Sequence, residues 1–263
     1  MLSNELSDDV DSLKVSIITV VLNNRVYVED CIKSVLRQTY KNVEYIIIDG
    51  GSTDGTIDVI RQYENFLSTW VSEPDHGIYD AMNKGILKSS GEIIGMLNAD
   101  DTYADESVIQ KVIDCFVVNK VDSCYGDLKY VDRSDTKKTI RYWQSNVYNK
   151  NNFRRGWMPP HPTFFVKRKI YEQYGLFYLD FPLAADYEIM LRFLYGKNVS
   201  SFYIPECLVE MRTGGSSRPG LLNTLRNMAE NYRAWRVNGF SANPLTFLVK
   251  PLLKTLQYVK KKR

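Results

Sequence analysis

Residues 92–103 read EIIGMLNADDTY. The apolar run has strand length and ends in Asn98, Ala99, Asp100 and Asp101. A short apolar run bounded by polar residues fits a fully buried strand. Adjacent carboxylates at its mouth repel each other, so either a positive group is expected there or the pair opens a solvated helix. The upstream sequence places this strand. GIYDAMNKGILKSS (77–90) puts Ile78, Met82, Ile86 and Leu87 on one helical face. Before it come a short strand, STWVSE (68–73), and an amphipathic helix, TIDVIRQYENF (56–66), opened by the turn GGSTDGT (50–56). Earlier still, VEYIIID (43–49) and VSIITVVL (15–22) are β-branched strands flanking a helical pattern through Tyr27, Cys31, Val35 and Leu36. This alternation predicts an α/β fold with a mostly parallel central sheet flanked by helices. Ligands of such sheets bind beyond the carboxyl ends of the strands, where Asp49, Asp100 and Asp101 lie.

Downstream, a helix is expected from Asp105 to about Val118, and residues 121–166, rich in Tyr, Trp and polar residues, hold strands and loops. FPLAADYEIMLRFLYGKN (181–198) reads as a helix with an acidic start and SSFYIPECLVEMR (200–212) as a late strand. A polar loop, TGGSSRPG (213–220), leads to a helix over 220–238. The chain divides into a polar segment (1–14), a main domain (15–219) and a C-terminal helical extension (220–263) whose tail alternates apolar and basic residues.

With 263 residues, 44% of them hydrophobic and 25% charged, the chain has the composition of a globular protein with a substantial core. A formal charge of +3 is too small to argue for nucleic acid. Cys31, Cys115, Cys124 and Cys207 are scattered without disulfide or metal spacing, which fits reduced thiols in a cytoplasmic protein. MLSNELSDDVDSLK is polar and acidic, unlike a signal peptide. No apolar run reaches the roughly 18 residues of a spanning helix. The tail 244–263, with Lys250, Lys254 and the final KKKR, suits a peripheral place on the inner face of the cell membrane. A helix packed on the domain, or an oligomer contact, accounts for it equally well.

Asp49 closes a strand just before Gly50 and Gly51, well placed to accept hydrogen bonds from a base or ribose. Ser52, Thr53 or Asp54 can cap the next helix. The G-x-G-x-x-G spacing of a dinucleotide site is missing. Asp100 and Asp101 are hard ligands for Mn2+ or Mg2+, which would neutralise a departing diphosphate; alternatively Asp101, Thr102 and Asp105 cap the following helix.

VSIITVVLNN, IIIDGGSTDGT and LNADD, in this order and spacing, resemble the inverting family 2 glycosyltransferases of the GT-A (nucleotide-diphospho-sugar transferase) fold. SEPDHGIYDAMNKGI resembles the branch that builds bacterial capsule, exopolysaccharide and O-antigen sugars. The resemblance covers about 15–217. It implies that Thr19, the backbone near Val21, and Asp49 hold the nucleotide, that Asp80 borders it, and that Asp100 is the metal-binding Asp of the D-x-D motif. Asn98 replaces the first Asp of that motif; its amide can still bond the ribose or donor sugar, and it leaves open whether Asp100 binds metal alone or with Asp101. Asp186, in AADYEIMLR, matches the catalytic base, while Glu188 does not align; the helix dipole alone would also favour an Asp there.

In WMPPHPTFFVKR, His161 and Trp157 fall in the segment that lines the acceptor side, although a lone His is often structural. His76, in PDHGIYD, is a donor-side or structural contact. Arg212 and the loop after it resemble the segment that closes on the diphosphate, where guanidinium and loop amides suit phosphate oxygens. The expected activity is transfer of one sugar, with inversion, from a UDP-sugar to a glycan or lipid-diphosphate-linked acceptor in surface polysaccharide synthesis. NYRAW (231–235) does not match the Q-x-x-R-W of processive synthases. A nucleotidyltransferase would need a basic Gly-rich loop after the first strand, which is missing. The alternative of another class is a sugar-nucleotide-binding or scaffolding protein without catalysis.

Overall fold

A computed structural model describes residues 13–214 and 221–241. Among the described residues nine strands form one sheet: β1 (Val15–Val21), β2 (Val43–Asp49), β3 (Thr69–Ser72), β4 (Ile93–Met96), β5 (Asp101–Tyr103), β6 (Ser123–Val131), β7 (Thr139–Trp143), β8 (Phe165–Lys167) and β9 (Ser201–Arg212). The helices are α1 (Val28–Leu36), α2 (Thr56–Arg61), α3 (Ile78–Lys88), α4 (Val108–Asn119), α5 (Arg168–Tyr174), α6 (Ala185–Met190) and α7 (Leu221–Val237), with shorter helical turns between them.

The strand order is β3-β2-β1-β4-β8-β6-β9-β5, with β7 on β6. β3, β2, β1 and β4 run parallel, as the alternation of the first hundred residues predicts. Beyond β4 the sheet is mixed: β8 is antiparallel to β4 and β6, while β9 runs parallel to β6 and antiparallel to β5. The chain builds outward from β1 to β2 and β3, then crosses back to lay β4 on the other side of β1. That reversal opens a crevice at the carboxyl ends of β1 and β4.

Both faces of β1, β2 and β4 are covered, which is why these strands are nearly continuous apolar runs rather than alternating ones, while β3 at the edge is partly exposed. Ile18, Val20, Ile46, Ile48, Ile94 and Met96 pack with Ala81, Met82 and Ile86 of α3 on one face. Ile17, Val21, Ile47, Ile93 and Leu97 pack with α1 and α4 on the other. The sheet ends differ in character. At the amino end, Glu44 accepts from Ser16 Oγ (2.5 Å), Ser90 N (2.7 Å) and Ser90 Oγ (2.7 Å). Burial raises its pKa, but these bonds and Lys14 outweigh that and hold it at about 2.

The 181–198 stretch is not one regular helix. After α6 the backbone widens into a π-helical segment, Leu191–Gly196. Here Arg192, buried, pairs with Glu188 at 2.9 Å and donates to the Tyr174 and Leu176 carbonyls. Asn238 after α7 completes Glu188 at 3.0 Å. The helix expected over 220–238 is α7; the tail 244–263 lies outside the described residues.

Helix α3 crosses β1 at Gly85, where a Cβ would stand 2.3 Å from Ile18 Cγ2. Gly85→Ala is therefore expected to lose about 1–3 kcal/mol by overpacking. Urea denaturation checks this; an unchanged midpoint would show that α3 shifts freely on the sheet.

Candidate active site

The carboxyl ends of β1, β2 and β3 carry three loops stitched by side chain–backbone bonds. Asp49, fully buried, accepts from Gly51 N (3.1 Å), Ser52 N (2.9 Å), Ser52 Oγ (2.5 Å) and, across the sheet, Ser72 Oγ (2.6 Å). Ser52 Oγ receives Asn23 N at 2.7 Å, and Asn23 Oδ1 receives Thr53 N at 2.8 Å. Asp54 takes Thr56 N and Arg25 N, each at 3.0 Å, so it is both a cap and a strap onto the first loop. Asp75 folds back over Gly50, where a Cβ would meet its Oδ2 at 2.2 Å.

Asp49 thus stands behind the loop surface as its organiser, with both carboxylate oxygens engaged. Thr19 is buried as well: its side chain falls on the α1 face of β1 and its hydroxyl pairs with Tyr45 Oη (3.1 Å) and Cys31 Sγ (3.6 Å). The Val21 carbonyl accepts from Gly50 N at 2.9 Å. The strand period of two turned Thr19 inward, which a motif match does not reveal.

At the end of β4, Asp100 is half-buried and Asp101 fully buried. Asp101 is on β5, opposite Met211 of β9, rather than in a helix cap. Its Oδ2 accepts from Asn98 Nδ2 at 3.3 Å. Burial, then the charge of Asp100, pushes its carboxyl well above the usual range. Asp100 is the more accessible of the two carboxylates. Asn98 Oδ1, Asp101 Oδ1 and Arg212 Nε are buried without a partner among the described residues.

Arg212, the last residue of β9, is buried and committed internally. It bonds Asp30 of α1 at 2.6 Å and the Asp100 carbonyl at 3.1 Å, with its guanidinium 4.9 Å from the Tyr27 ring centroid. Arg133, on the β6–β7 turn, lies 4.0 Å from Asp100 and 4.5 Å from the same centroid. Among the described residues no three His, Cys, Asp or Glu side chains form a metal cluster. Mg2+ is commonly held by one or two carboxylates plus substrate phosphates. Asp100, above unsatisfied polar atoms, fits a cation that arrives with a nucleotide, not a cage formed by protein alone.

The other wall is α3 with α6. Asp80, half-buried in the first turn of α3, accepts from His76 N at 3.0 Å and lies 3.6 Å from Lys84. Tyr79, beside it, donates to Asp186 Oδ1 at 3.2 Å, and Tyr187 N gives the same oxygen 2.8 Å. Among the described residues Oδ2 of Asp186 accepts no hydrogen bond, and the residue is half-buried. Asn83 fixes the wall by exchanging bonds with the Phe177 backbone at 2.9 and 3.0 Å.

His161 is buried, edge-on to Phe177 at 5.5 Å. Burial lowers its pKa, opposed by the charge of Asp186. Trp157 is half-buried against the aromatic core: Nε1 donates to the Ser145 carbonyl at 2.8 Å, and the ring packs on Tyr125, Tyr148 and Phe153.

The structure therefore joins the first turn of α3 to Asp186 through Tyr79, and the Asp100 backbone to Arg212. It withdraws Thr19, Asp49 and Asp101 into the interior. Sequence reasoning missed Tyr27, Asp30, Tyr79 and Arg133. Tyr79 lies in the SEPDHGIYDAMNKGI stretch beside Asp80, and Tyr27 and Asp30 stand three apart at the start of α1, but nothing local connects them to Asp186 or β9.

The family model described as Glycosyl transferase family 2 matches residues 16–175. The chain belongs to this family. An uncharacterised glycosyltransferase of Mycobacterium tuberculosis is 29% identical over 230 residues, 86% of each chain. A glycosyltransferase of PGL/p-HBAD biosynthesis from Mycobacterium bovis is 28% identical over 180 residues, 67% of this chain and 68% of the relative. S. aureus TarS 1-349 in complex with UDP superposes with a TM-score of 0.66 at 14% identity, over 89% of this chain and 68% of that one. The chain spans 44% of the longer TarS structure. A Pyrobaculum calidifontis mannosyltransferase in complex with GDP-Man and Mn2+ gives 0.64 at 17% identity, over 95% and 71%. These structures show that this family 2 glycosyltransferase has the GT-A fold. Among the described residues no helix is long and apolar enough to cross a membrane.

The buried His161 favours its neutral form, so its folded pKa lies below the unfolded value of about 6.5. Its contribution to stability is complete above about pH 6.5 and is lost as pH falls through the folded pKa. NMR titration should find the imidazole pKa below 6.5, and lower still in Asp186→Asn, which removes the opposing charge. An unchanged value in that variant would separate the two side chains electrically.

Proposed function

We propose that this family 2 glycosyltransferase moves one sugar, with inversion, from a nucleotide-diphosphate sugar to a hydroxyl of a glycan or lipid-linked acceptor, with Asp186 as general base. The observation that carries the reading is the state of Asp186. One oxygen is pinned by the Tyr79 hydroxyl and the Tyr187 amide, while Oδ2 accepts nothing among the described residues. A carboxylate oriented through one oxygen and open at the other can take the proton of an attacking hydroxyl. Inversion follows from a single displacement, in which base and leaving group stand on opposite sides of the anomeric carbon.

Donor binding falls to the stitched loops and to Asp80 and Asn98. Asp49 acts from behind by holding the Gly51 and Ser52 amides in place. Asp100 would hold Mn2+ or Mg2+ together with the diphosphate, and that cation supplies charge neutralisation for the leaving group. Arg212 keeps Asp100 in position by clamping its carbonyl to Asp30. A uridine donor is supported by the UDP complex of TarS, and a guanosine donor by the GDP-Man complex of the mannosyltransferase. The branch resemblance of SEPDHGIYDAMNKGI supports a role in surface polysaccharide synthesis. The basic apolar tail 244–263 is proposed to bring the enzyme to a lipid-linked acceptor at the membrane.

Calorimetric titration with UDP and GDP, with and without Mn2+, is expected to show metal-dependent binding of one nucleotide that Asp100→Ala abolishes. Asp186→Asn should keep that binding and lower turnover about 10²–10⁴-fold. If no nucleotide bound under any condition, the non-catalytic scaffolding reading would replace this one.

A further inference from the structure

Two guanidiniums approach Asp100, and they are in different states. Arg212 is buried, its two terminal nitrogens donating to the Asp100 carbonyl and to Asp30, while its Nε has no partner among the described residues. The Arg133 side chain is 40% exposed. Its Nη1 donates to the carbonyls of Gly214 (2.9 Å) and Thr213 (3.5 Å), and the same nitrogen stands 4.0 Å from Asp100 Oδ2. Among the described residues, Nε and Nη2 donate to nothing. The guanidinium is supported by the Tyr27 ring. The turn that presents it is ordered, because Asp132 Oδ1 accepts from Ser134 N (3.0 Å), Ser134 Oγ (2.7 Å) and Asp135 N (3.2 Å).

We infer that Arg133 is a diphosphate-contacting residue of the donor site, and that its attachment to Thr213 and Gly214 is the resting position from which it turns to the nucleotide. This rests on the proposed role of Asp100 in holding a cation–nucleotide pair. A cation ligated by Asp100 lies about 2 Å from the carboxylate oxygens. A diphosphate held with that cation would be offered the forked donors of Arg133, whose Nη1 stands 4.0 Å from Asp100 Oδ2. An Asp–Arg contact at 4.0 Å is loose for a charge-assisted bond, which prefers about 2.7–2.9 Å. A diphosphate offers the unused nitrogens the short, paired bonds that Asp100 does not.

The test is titration of the full chain with Mn2+ and whichever of UDP and GDP the wild type binds, beside the matching nucleoside. Arg133→Ala is expected to weaken the diphosphate roughly 10–100-fold and to leave the nucleoside unchanged. Arg133→Lys, which keeps the charge and loses the fork, should fall between them, and it serves as the readout if the alanine variant does not fold. Equal diphosphate affinity in wild type and both variants overturns the inference while the donor-site reading stands. An equal loss for diphosphate and nucleoside also overturns it, by making Arg133 a fastener of β9. A wild type that binds neither nucleotide removes both the donor-site reading and this inference.

Discussion

A single buried carboxylate sets the shape of the crevice. Asp49 ends β2 with no exposure and is satisfied by four donors from Gly51, Ser52 and Ser72. Burying a carboxylate is costly unless its hydrogen bonds are complete. The chain completes them only if the Gly-Gly-Ser turn folds back on β2 and β3 lies alongside. Ser52, placed in this way, receives the Asn23 amide and so fixes the loop after β1. One unpaired oxygen on Asp49 would loosen three loops together.

The same economy joins the distant parts of the chain. Arg212 ties β9 to α1 and to the end of β4, separated from them by 182 and 112 residues. Asn83 and Tyr79 tie α3 to the segment from Phe177 to Asp186. The buried Arg192–Glu188 pair then holds the Tyr174–Leu176 backbone beneath that segment. Donor-side and base-side walls are therefore positioned by polar contacts between elements far apart in sequence, set on an apolar sheet. At the amino end of the sheet Glu44 ties β1 and β2 to Ser90 in the same way.

The parallel half of the fold was legible because β1, β2 and β4 are buried on both faces and read as nearly continuous apolar runs. The mixed half was not. β5 and β8 have only three residues each, too few to show a period, and what makes them strands is pairing with β9, β4 and β6. The π-helical widening after Met190 is likewise invisible in a pattern that is apolar nearly all round.

For the site, the sequence by itself determined which chemistry-bearing side chains stand at strand ends: Asp49, Asn98, Asp100 and, at a helix start, Asp186. Order and spacing suffice for that, because a strand's end and a helix's first turn are local properties. Only the tertiary structure decided which of these groups face the crevice. Thr19 turned to Tyr45 and Cys31 and Asp101 sank against β9, while Arg133 arrived from a turn with no motif and Tyr79, inside SEPDHGIYDAMNKGI, reached Asp186 across the fold. Facing depends on strand period and on partners more than a hundred residues away, and neither is written within a motif.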